Sequence, residues 1–311
     1  MDRLAVSPNP RALGGTGLVV GPWAWAFRPL AGTRPADAAR ALAAAVSGGA
    51  GLVTVSDAPW AGGTTAWGAD LALLADALAE APEAARQAAI ALRAGLAPQA
   101  WDHRPQALTA QVDEALRLLK RERIELLILQ RTDPLVHPEG LARTLGELVA
   151  AGKVGGVGLA HHPLPRIAFL ARLLGARLGA IEVPFSALDP APLFDGTLDY
   201  ALERGLGVIA AAPLAEGRVG DRPDLATSVA HRATLRALDA VADREGVPRA
   251  VVAAAFVAVH PAEPIPLFGT QDPTELAGLA RIFTIGLERG DWYRILEAAM
   301  GGPLPMLDPL R

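Results

Sequence analysis

The sequence predicts one (β/α)₈ barrel, an α/β fold of eight parallel strands with helices between them, spanning residues 1–311 as a single domain. Short β-rich runs alternate eight times with longer amphipathic runs along the chain. The 311 residues also exceed the length of about 250 that such a barrel needs. An N-terminal hairpin and an extra C-terminal helix are expected to flank it.

The predicted elements follow in chain order. The strands are 19–26, 52–56, 88–93, 124–130, 154–160, 180–184, 207–211 and 264–269. The helices are 35–46, 66–79, 107–120, 138–151, 165–174, 196–204, 226–244, 248–259, 273–281 and the terminal 287–300. The longest connection, 213–228, is expected at the C-terminal face of the barrel, where functional loops lie.

The alternative fold is an open, doubly wound sheet, which calls for a glycine-rich phosphate turn between an early strand and a helix. The segment 13–17, Leu-Gly-Gly-Thr-Gly, is rich in glycine. It precedes the first predicted barrel strand, however, and no helix begins at it. We therefore interpret 13–17 as a hairpin turn.

The composition excludes several functional classes. With 51% hydrophobic and 20% charged residues, the chain is expected to form a sizeable core. A net charge of −4 without a cationic run argues against nucleic-acid binding. No apolar run reaches the roughly 20 residues that span a bilayer, and no secretory signal is predicted. The absence of cysteine excludes disulfides and thiolate sites. We expect a soluble cytoplasmic protein.

Several segments, taken in order, resemble a single family. They are 11–20 (RALGGTGLVV), 124–134 (IELLILQRTDP), 147–158 (ELVAAGKVGGVG), 207–214 (GVIAAAPL), 264–270 (PIPLFGT) and 291–296 (DWYRIL). Together they resemble the aldo-keto reductases, and the last is similar to a bacterial subgroup. The resemblance implies a (β/α)₈ barrel and an NADP(H)-dependent carbonyl reductase.

The positions that the resemblance assigns to catalysis are all substituted. The family uses a Tyr as general acid, a Lys that lowers its pKa, an Asp paired to that Lys, and a His that orients the carbonyl. The corresponding residues here are Ala61, Arg93, Ser56 and Gln130. Asp57 stands one residue beyond the Asp position, where strand alternation turns it the other way. The resemblance therefore predicts that hydride transfer has been lost.

The counts of tyrosine and lysine give the same prediction without an alignment. The sequence has two of each, Lys120, Lys153, Tyr200 and Tyr293. Both lysines are predicted at the N-terminal face of the barrel, and both tyrosines within helices. Active sites of such barrels lie at the C-terminal ends of the strands. No Tyr–Lys pair is therefore expected there.

The positions that the resemblance assigns to NADP(H) have changed as well. The contacts to the nicotinamide fall on Ala160, His161, Glu182 and Ala211. The position facing the 2′-phosphate is Glu275, which repels a phosphate, and those facing the adenine are Gly278 and Leu279. Backbone contacts remain conceivable at Leu214 and at the Gly269–Thr270 turn, whose following helix presents its N-terminus. Cofactor binding is therefore expected to be weak.

Two interpretations of the mouth of the barrel remain open. Arg93, Gln130, His161 and Glu182 are all expected there. Either they form a rebuilt site, with His161 and Glu182 in acid–base roles and Arg93 binding an anionic or carbonyl substrate, or they are a relict whose polar groups satisfy one another. If Glu182 pairs with Arg93 across the mouth, Arg93→Met is expected to be neutral or mildly stabilising.

The remaining histidines and tryptophans give weaker indications. His161 and His162 are adjacent and have no third ligand at useful spacing, so no metal site is predicted. Four histidines are expected at the surface: His103, His137, His231 and His260. Three tryptophans could either line the mouth or pack in the core: Trp23, Trp25 and Trp60.

Overall fold

The structure is a computed structural model that describes residues 3–59, 63, 66–221 and 228–304. Within these residues, eight parallel strands close into a barrel. They are β1 Trp23–Ala26, β2 Ala50–Ser56, β3 Ala89–Ala94, β4 Ile124–Gln130, β5 Val154–Ala160, β6 Leu178–Pro184, β7 Gly207–Ala211 and β8 Ile265–Phe268. Strand β8 closes the barrel onto β1 through the pairs Leu267–Ala24 and Phe268–Trp25. The predicted fold class is confirmed.

Helices surround this barrel. They are α1 Pro35–Ser47, α2 Ala69–Glu80, α3 Pro82–Gln87, α4 Pro105–Leu119, α5 Pro138–Ala150, α6 Leu164–Leu174, α7 Thr197–Arg204, α8 Val229–Glu245, α9 Arg249–Ala258, α10 Pro273–Gly278 and α11 Arg289–Met300. Several begin with proline, which suits the first helical turn because its missing N–H has no helical partner there. No helix among the described residues is both long and apolar enough to cross a membrane.

The predicted strand 19–26 is wrong as one element. Val19–Val20 instead pairs antiparallel with Arg11–Ala12, forming the N-terminal hairpin, and β1 begins only at Trp23. The break falls at Gly21, which lies so close to β2 that a Cβ added at Gly51 would stand 1.9 Å from the Gly21 nitrogen. The turn at 13–17 contains a short 3₁₀ helix, in agreement with the hairpin interpretation.

Other boundaries differ from the prediction as well, among them those of the terminal helix, α10 and α8. The terminal helix begins at Arg289, because Gly286–Glu288 forms a short strand with Arg3–Ala5. Helix α10 ends at Gly278, and the chain continues as the 3₁₀ helix Leu279–Phe283. Helix α8 begins at Val229, where the Ser228 hydroxyl accepts from the amide of His231 and caps the first turn. Predicted residues 226–227 of that helix lie outside the described residues.

Helix α3 and a small hairpin were not predicted either. Helix α3 follows α2 after a break at Ala81, and its first residue is Pro82. A small hairpin pairs Leu96–Ala97 with Ala100–Trp101 directly after β3. Strands of two residues carry no periodicity, so the alternation of hydrophobic residues could not reveal this hairpin.

The N-terminal hairpin closes the bottom of the barrel. Leu13 is fully buried and packs where β7 has a glycine: a Cβ at Gly207 would stand 2.3 Å from Leu13 Cδ2. Thr16 packs similarly on β5, because a Cβ at Gly156 would stand 2.6 Å from its methyl group. The glycines thus leave room for the hairpin side chains. The hairpin therefore covers the N-terminal end of the barrel.

The tryptophans of β1 pack in the core. Trp23 and Trp25 are fully buried in the main hydrophobic cluster, whereas Ala24 and Ala26 belong to the smaller cluster inside the barrel. Trp23 meets Phe268 edge to face at 5.6 Å between ring centroids. Strand alternation therefore turns both indoles toward the helices, and the hypothesis that they line the mouth is wrong. Trp60 lies outside the described residues.

Candidate functional site

The ends of five neighbouring strands bring polar side chains to the mouth of the barrel. Ser56 at the end of β2 is in register with Arg93 on β3. Gln130 at the end of β4 is in register with Ala160 on β5, which is in register with Glu182 on β6. Because the C-terminal ends of parallel strands meet at one rim, these residues lie at the mouth of the barrel, as the sequence predicted.

An ion pair between Arg93 and Glu182 spans this mouth. Arg93 Nη2 donates to Glu182 Oε1, although β4 and β5 lie between their strands. The side chain of Glu182 is 1% exposed and that of Arg93 is 17% exposed. The other carboxylate oxygen, Oε2, is buried without a hydrogen-bond partner among the described residues. The two charges of the pair therefore neutralise each other, but one carboxylate oxygen still lacks a hydrogen-bond donor.

His161 completes this group. Its backbone adopts φ 57°, and its amide donates to the Glu182 carbonyl at 3.0 Å. His161 Nε2 stands 3.7 Å from Glu182 Oε1, which is beyond hydrogen-bond distance. Burial lowers the pKa of His161, opposed by the charge of Glu182. The imidazole is therefore neutral near pH 7, and one of its nitrogens can accept a proton or a hydrogen bond.

The residue that follows β2, Asp57, is a half-buried acid. Ser56 Oγ accepts from the Ala58 amide at 3.1 Å and lies 3.5 Å from the Arg93 carbonyl. Burial raises the pKa of Asp57 to about 6, and its Oδ1 has no hydrogen-bond partner among the described residues. Ala61, the position that the resemblance assigns to the general acid, lies outside the described residues.

Two of the histidines predicted at the surface are buried behind the strand ends. His103 is 0% exposed, and its Nε2 lies 3.1 Å from the Gln130 carbonyl. His231 is 3% exposed and bonds the Arg218 carbonyl at 3.0 Å. The surface prediction for these two is wrong, because a single polar residue carries no periodicity that reveals its burial. His137 is exposed, as predicted, and His260 is half-buried.

His103 faces a second buried imidazole, that of His162. Their ring centroids are 6.4 Å apart, and His162 Nδ1 lies 3.0 Å from the Ala160 carbonyl. The other ring nitrogens, His103 Nδ1 and His162 Nε2, have no partner among the described residues. Burial lowers the pKa of both histidines, to about 4 for His162. Both rings are therefore neutral. Within the described ranges, no three His, Asp or Glu residues are grouped so as to hold a metal.

The turn after β8 carries two carboxylates, and one of them, Glu275, stands at the position to which the resemblance assigns the 2′-phosphate contact. Thr270 Oγ1 donates to Glu275 at 2.5 Å. The Asp272 carboxylate accepts from the Thr274 amide at 2.8 Å and so caps the first turn of α10. The N-terminus of this short helix is therefore capped by the chain's own acid. Leu279 is 5% exposed and packs in the core.

The loop after β7 has an unusual backbone. Ala212, Ala215 and Glu216 adopt φ of 50°, 50° and 59°, a region that non-glycine residues rarely occupy. The Leu214 carbonyl accepts from the amides of Gly217 and Val219. Ala211, at the strand end, is 8% exposed and offers no ring for stacking. The loop is thus held by its own hydrogen bonds.

The lysines and tyrosines lie away from the mouth. Lys120 caps the C-terminus of α4, and Lys153 precedes β5, where its Nζ donates to Asp113 at 2.5 Å. Tyr200 lies within α7 and Tyr293 within α11. The placement inferred from the sequence is confirmed for all four.

A feature that sequence reasoning missed is an apolar rim, which we define as the exposed large apolar side chains on connections that follow barrel strands. Its members are Leu30 after β1, Trp67 after β2, Trp101 after β3, Leu135 after β4 and Phe194 after β6. Their exposures run from 41% for Trp67 to 93% for Leu135. The sequence feature that could have indicated this rim is the presence of large apolar residues in predicted loops.

Comparisons with known proteins agree with this architecture. The profile of the Aldo/keto reductase family matches residues 17–299. A protein named 6-dehydroglucose reductase from Novosphingobium aromaticivorans is 35% identical over 98% of this chain and 100% of its own length. One of the same name from Agrobacterium fabrum is 26% identical, over 89% of this chain and 92% of its own.

A solved structure supports the fold at lower identity. The glycerol dehydrogenase from Gluconobacter oxydans superimposes with a TM-score of 0.82 at 19% identity, covering 98% of this chain and 99% of that one. At this identity the likeness concerns the barrel and its helices.

Proposed function

Because this chain belongs to the aldo/keto reductase family, we propose that it is a member that has lost the family's hydride transfer and tight NADP(H) binding. Its barrel mouth then serves as a binding site for a small molecule. The single observation that carries the proposal is that both tyrosines and both lysines lie away from the mouth. A carbonyl reduced there would find no Tyr to protonate it.

The groups at the mouth are poor replacements for that acid. An arginine stays protonated in proteins, so Arg93 offers charge but does not give up a proton. His161 is neutral near pH 7, because burial lowers its pKa. Ser56 has a hydroxyl, but its hydrogen-bond partners are backbone groups, the Ala58 amide and the Arg93 carbonyl. Neither of them helps the hydroxyl to give up a proton. The arrangement favours holding a ligand over protonating one.

The turn after β8 fits NADP(H) poorly, which supports the second part of the proposal. The family generally uses this cofactor, whose 2′-phosphate is best held by cations and free amides. Here Glu275 and Asp272 present carboxylates, and Asp272 already caps α10. Leu279 is buried in the core, so it offers no polar group to an adenine.

The second candidate is an atypical oxidoreductase or repurposed enzyme at the same mouth. The printed name of the relatives, 6-dehydroglucose reductase, favours it, as does the positive charge that Arg93 keeps where the resemblance places a Lys. In this case Arg93 polarises a carbonyl, and His161 with Glu182 moves the proton. The substrate would be a carbonyl compound such as a sugar aldehyde.

A reduction assay separates the two candidates. The purified protein is mixed with NADPH and either 4-nitrobenzaldehyde or a sugar aldehyde, and loss of NADPH absorbance is followed. We expect a rate equal to that of buffer, since losing a positioned proton donor costs about 10²–10⁴-fold. Turnover that disappears in Arg93→Ala, but persists in the surface control Arg86→Ala, establishes the oxidoreductase instead.

A further inference from the structure

We propose that the N-terminal end of the barrel carries a binding site for a small molecule with a chain of linked phosphates. The site is a surface groove beside the N-terminal hairpin, at the end of the barrel opposite the mouth. Three arginines border this groove: Arg123, Arg172 and Arg177. The inference goes beyond the proposed function, because it concerns other residues, another face of the barrel and another class of ligand.

The groove lies where the hairpin meets the ends of two helices. Its volume is about 490 Å³, within the range of about 300–1,000 Å³ that is typical of small-molecule sites. It is lined by Gly15 and Thr16 of the hairpin, Val149 of α5, Gly155 of β5 and the segment 172–177. Because the helices of such a barrel run antiparallel to its strands, the ends of α5 and α6 lie at the N-terminal face.

Two of the arginines lie in the lining itself. Arg172 belongs to the last turn of α6, and its guanidinium carbon stands 5.4 Å from the centroid of the Phe169 ring. Arg177 ends the 3₁₀ turn that follows this helix, and its Nη1 lies 3.5 Å from the Leu174 carbonyl. A ring contact of this kind restrains a guanidinium without using its N–H donors. Arg172 in particular therefore keeps its donors for a ligand.

The third arginine reaches the groove over a glycine. Arg123 directly precedes β4, and Gly155 of the neighbouring strand β5 lines the groove. A Cβ added at Gly155 would stand 2.6 Å from Arg123 Nη2 and 3.1 Å from its Nε. Any larger residue at 155 would therefore displace the guanidinium. The glycine allows Arg123 to lie at the edge of the groove.

The charges of these arginines are not matched by acids of the chain. None of the three forms an ion pair within the residues that the structure describes. Other exposed arginines do so: Arg40 and Arg117 each pair with an acid three residues away on the same helix. The whole chain carries a net charge of −4, so three unmatched cations beside one groove form a local positive field. Guanidinium groups bind phosphate oxygens through paired N–H donors, which suits a chain of two or three phosphates.

Stabilisation of the helix ends does not use up these donors. The distance of 3.5 Å between Arg177 and the Leu174 carbonyl is at the limit of a hydrogen bond. The Ala171 carbonyl of α6 instead accepts from the amide of Gly175. The amide of Ala151 closes the end of α5 in the same way. Backbone amides thus satisfy these carbonyls, and the guanidinium groups remain able to bind an anion.

The test is a calorimetric titration with inorganic tripolyphosphate, with the melting temperature measured in parallel. We expect one site with a dissociation constant of about 100 μM at low salt, and weaker binding as the ionic strength rises. Arg172→Gln and Arg177→Gln should each weaken binding by about tenfold or more, because each removes hydrogen bonds to a charged group. The control Arg40→Gln removes the same charge from an exposed ion pair and should bind as the wild type does.

Two further titrations separate a built site from general attraction of anions. Arg172→Lys keeps the charge but loses the planar fork, so it should also bind more weakly than the wild type. ATP should compete with tripolyphosphate for the groove. Tighter binding of ATP identifies an organic phosphate as the occupant and weaker binding a free phosphate chain, and both orders agree with the inference.

Three results would overturn the inference. They are no heat and no thermal shift at a tripolyphosphate concentration of about 10 mM, roughly a hundred times the expected constant, unchanged binding in both Arg172→Gln and Arg177→Gln, or an equal loss in Arg40→Gln. The reductase assay reports on the mouth and is independent of these titrations. Absence of phosphate binding therefore refutes this inference alone, whereas NADPH-dependent reduction refutes the proposed function.

Discussion

Arg93 and Glu182 join β3 to β6 across the open end of the barrel, with two strands between them. Both stand at positions where the resemblance places residues of catalysis and cofactor binding. The sequence suggested that they would have to meet in this way, and the structure brings them together. The mouth therefore contains a charge pair that is largely satisfied from within the chain.

The first prediction concerns the stability of this pair. From the sequence alone, Arg93→Met was expected to be neutral or mildly stabilising. Because Glu182 is only 1% exposed, the variant leaves a buried carboxylate without its partner, so we now expect a loss of stability. We expect the free energy of unfolding to fall by up to about 3 kcal/mol. The double variant Arg93→Met/Glu182→Met should recover most of this loss.

Urea unfolding of the single and double variants measures both effects. Arg86→Met, which removes an ion pair of a highly exposed arginine and glutamate, should change the stability by less than about 1 kcal/mol. A double variant that is less stable than Arg93→Met alone would contradict the account of the pair.

The second prediction concerns acid stability. His103 and His162 are buried and neutral, and burial lowers both pKa values, to about 4 for His162. In the unfolded chain histidine titrates near pH 6.5. Stability is therefore complete above that pH and falls as the pH drops through it, at up to about 1.4 kcal/mol per pH unit for each histidine. For His162 the loss continues down to a pH of about 4.

His162→Asn isolates its share of this dependence. An asparagine amide can still donate to the Ala160 carbonyl that His162 Nδ1 contacts, but it does not titrate. Between pH 6 and 5, the free energy of unfolding should depend on pH less steeply than in the wild type. The difference in slope should correspond to about one proton fewer taken up on unfolding. His137→Asn, at an exposed position, is the control and should keep the wild-type slope. An unchanged slope in His162→Asn means that this imidazole is not held neutral.

The third prediction concerns the contact between the N-terminal hairpin and the barrel. A Cβ at Gly51 would stand 1.9 Å from the Gly21 nitrogen, and backbone atoms cannot move aside as a flexible side chain can. Gly51→Ala should destabilise the protein by about 3 kcal/mol or more. Gly140→Ala, where nothing lies within 4 Å of the added atom, should be neutral or stabilising. Equal effects of the two substitutions on the melting temperature would refute this contact.

The barrel was predictable because its strands are buried runs separated by long amphipathic helices. The elements that sequence reasoning missed are short, such as the hairpin Leu96–Ala97 with Ala100–Trp101. The break at Gly21 was missed because it depends on how closely Gly51 approaches. Such contacts between distant parts of the chain leave no periodic signal in the sequence.

For the candidate site, the sequence was sufficient to predict which residues reach the mouth. The resemblance and the predicted strand ends placed Arg93 and Glu182 there, and the structure agrees. The burial of His103 could not be predicted from the sequence. It depends on a contact between this loop residue and the backbone carbonyl of Gln130 at the end of β4. The exposure of Trp101 depends equally on the fold of a loop. Polar and aromatic residues in loops are placed by tertiary contacts.

The account's central claim, loss of the family's cofactor-dependent chemistry, is tested most directly by titrating the protein with NADPH and following tryptophan fluorescence. Glu275 stands at the position to which the resemblance assigns the contact with the 2′-phosphate, and Asp272 caps the helix beside it. Each lost charge-assisted contact weakens binding by roughly 1.5–3 kcal/mol. We expect no saturation up to about a millimolar. Saturable binding with a dissociation constant of about ten micromolar or below would contradict the claim.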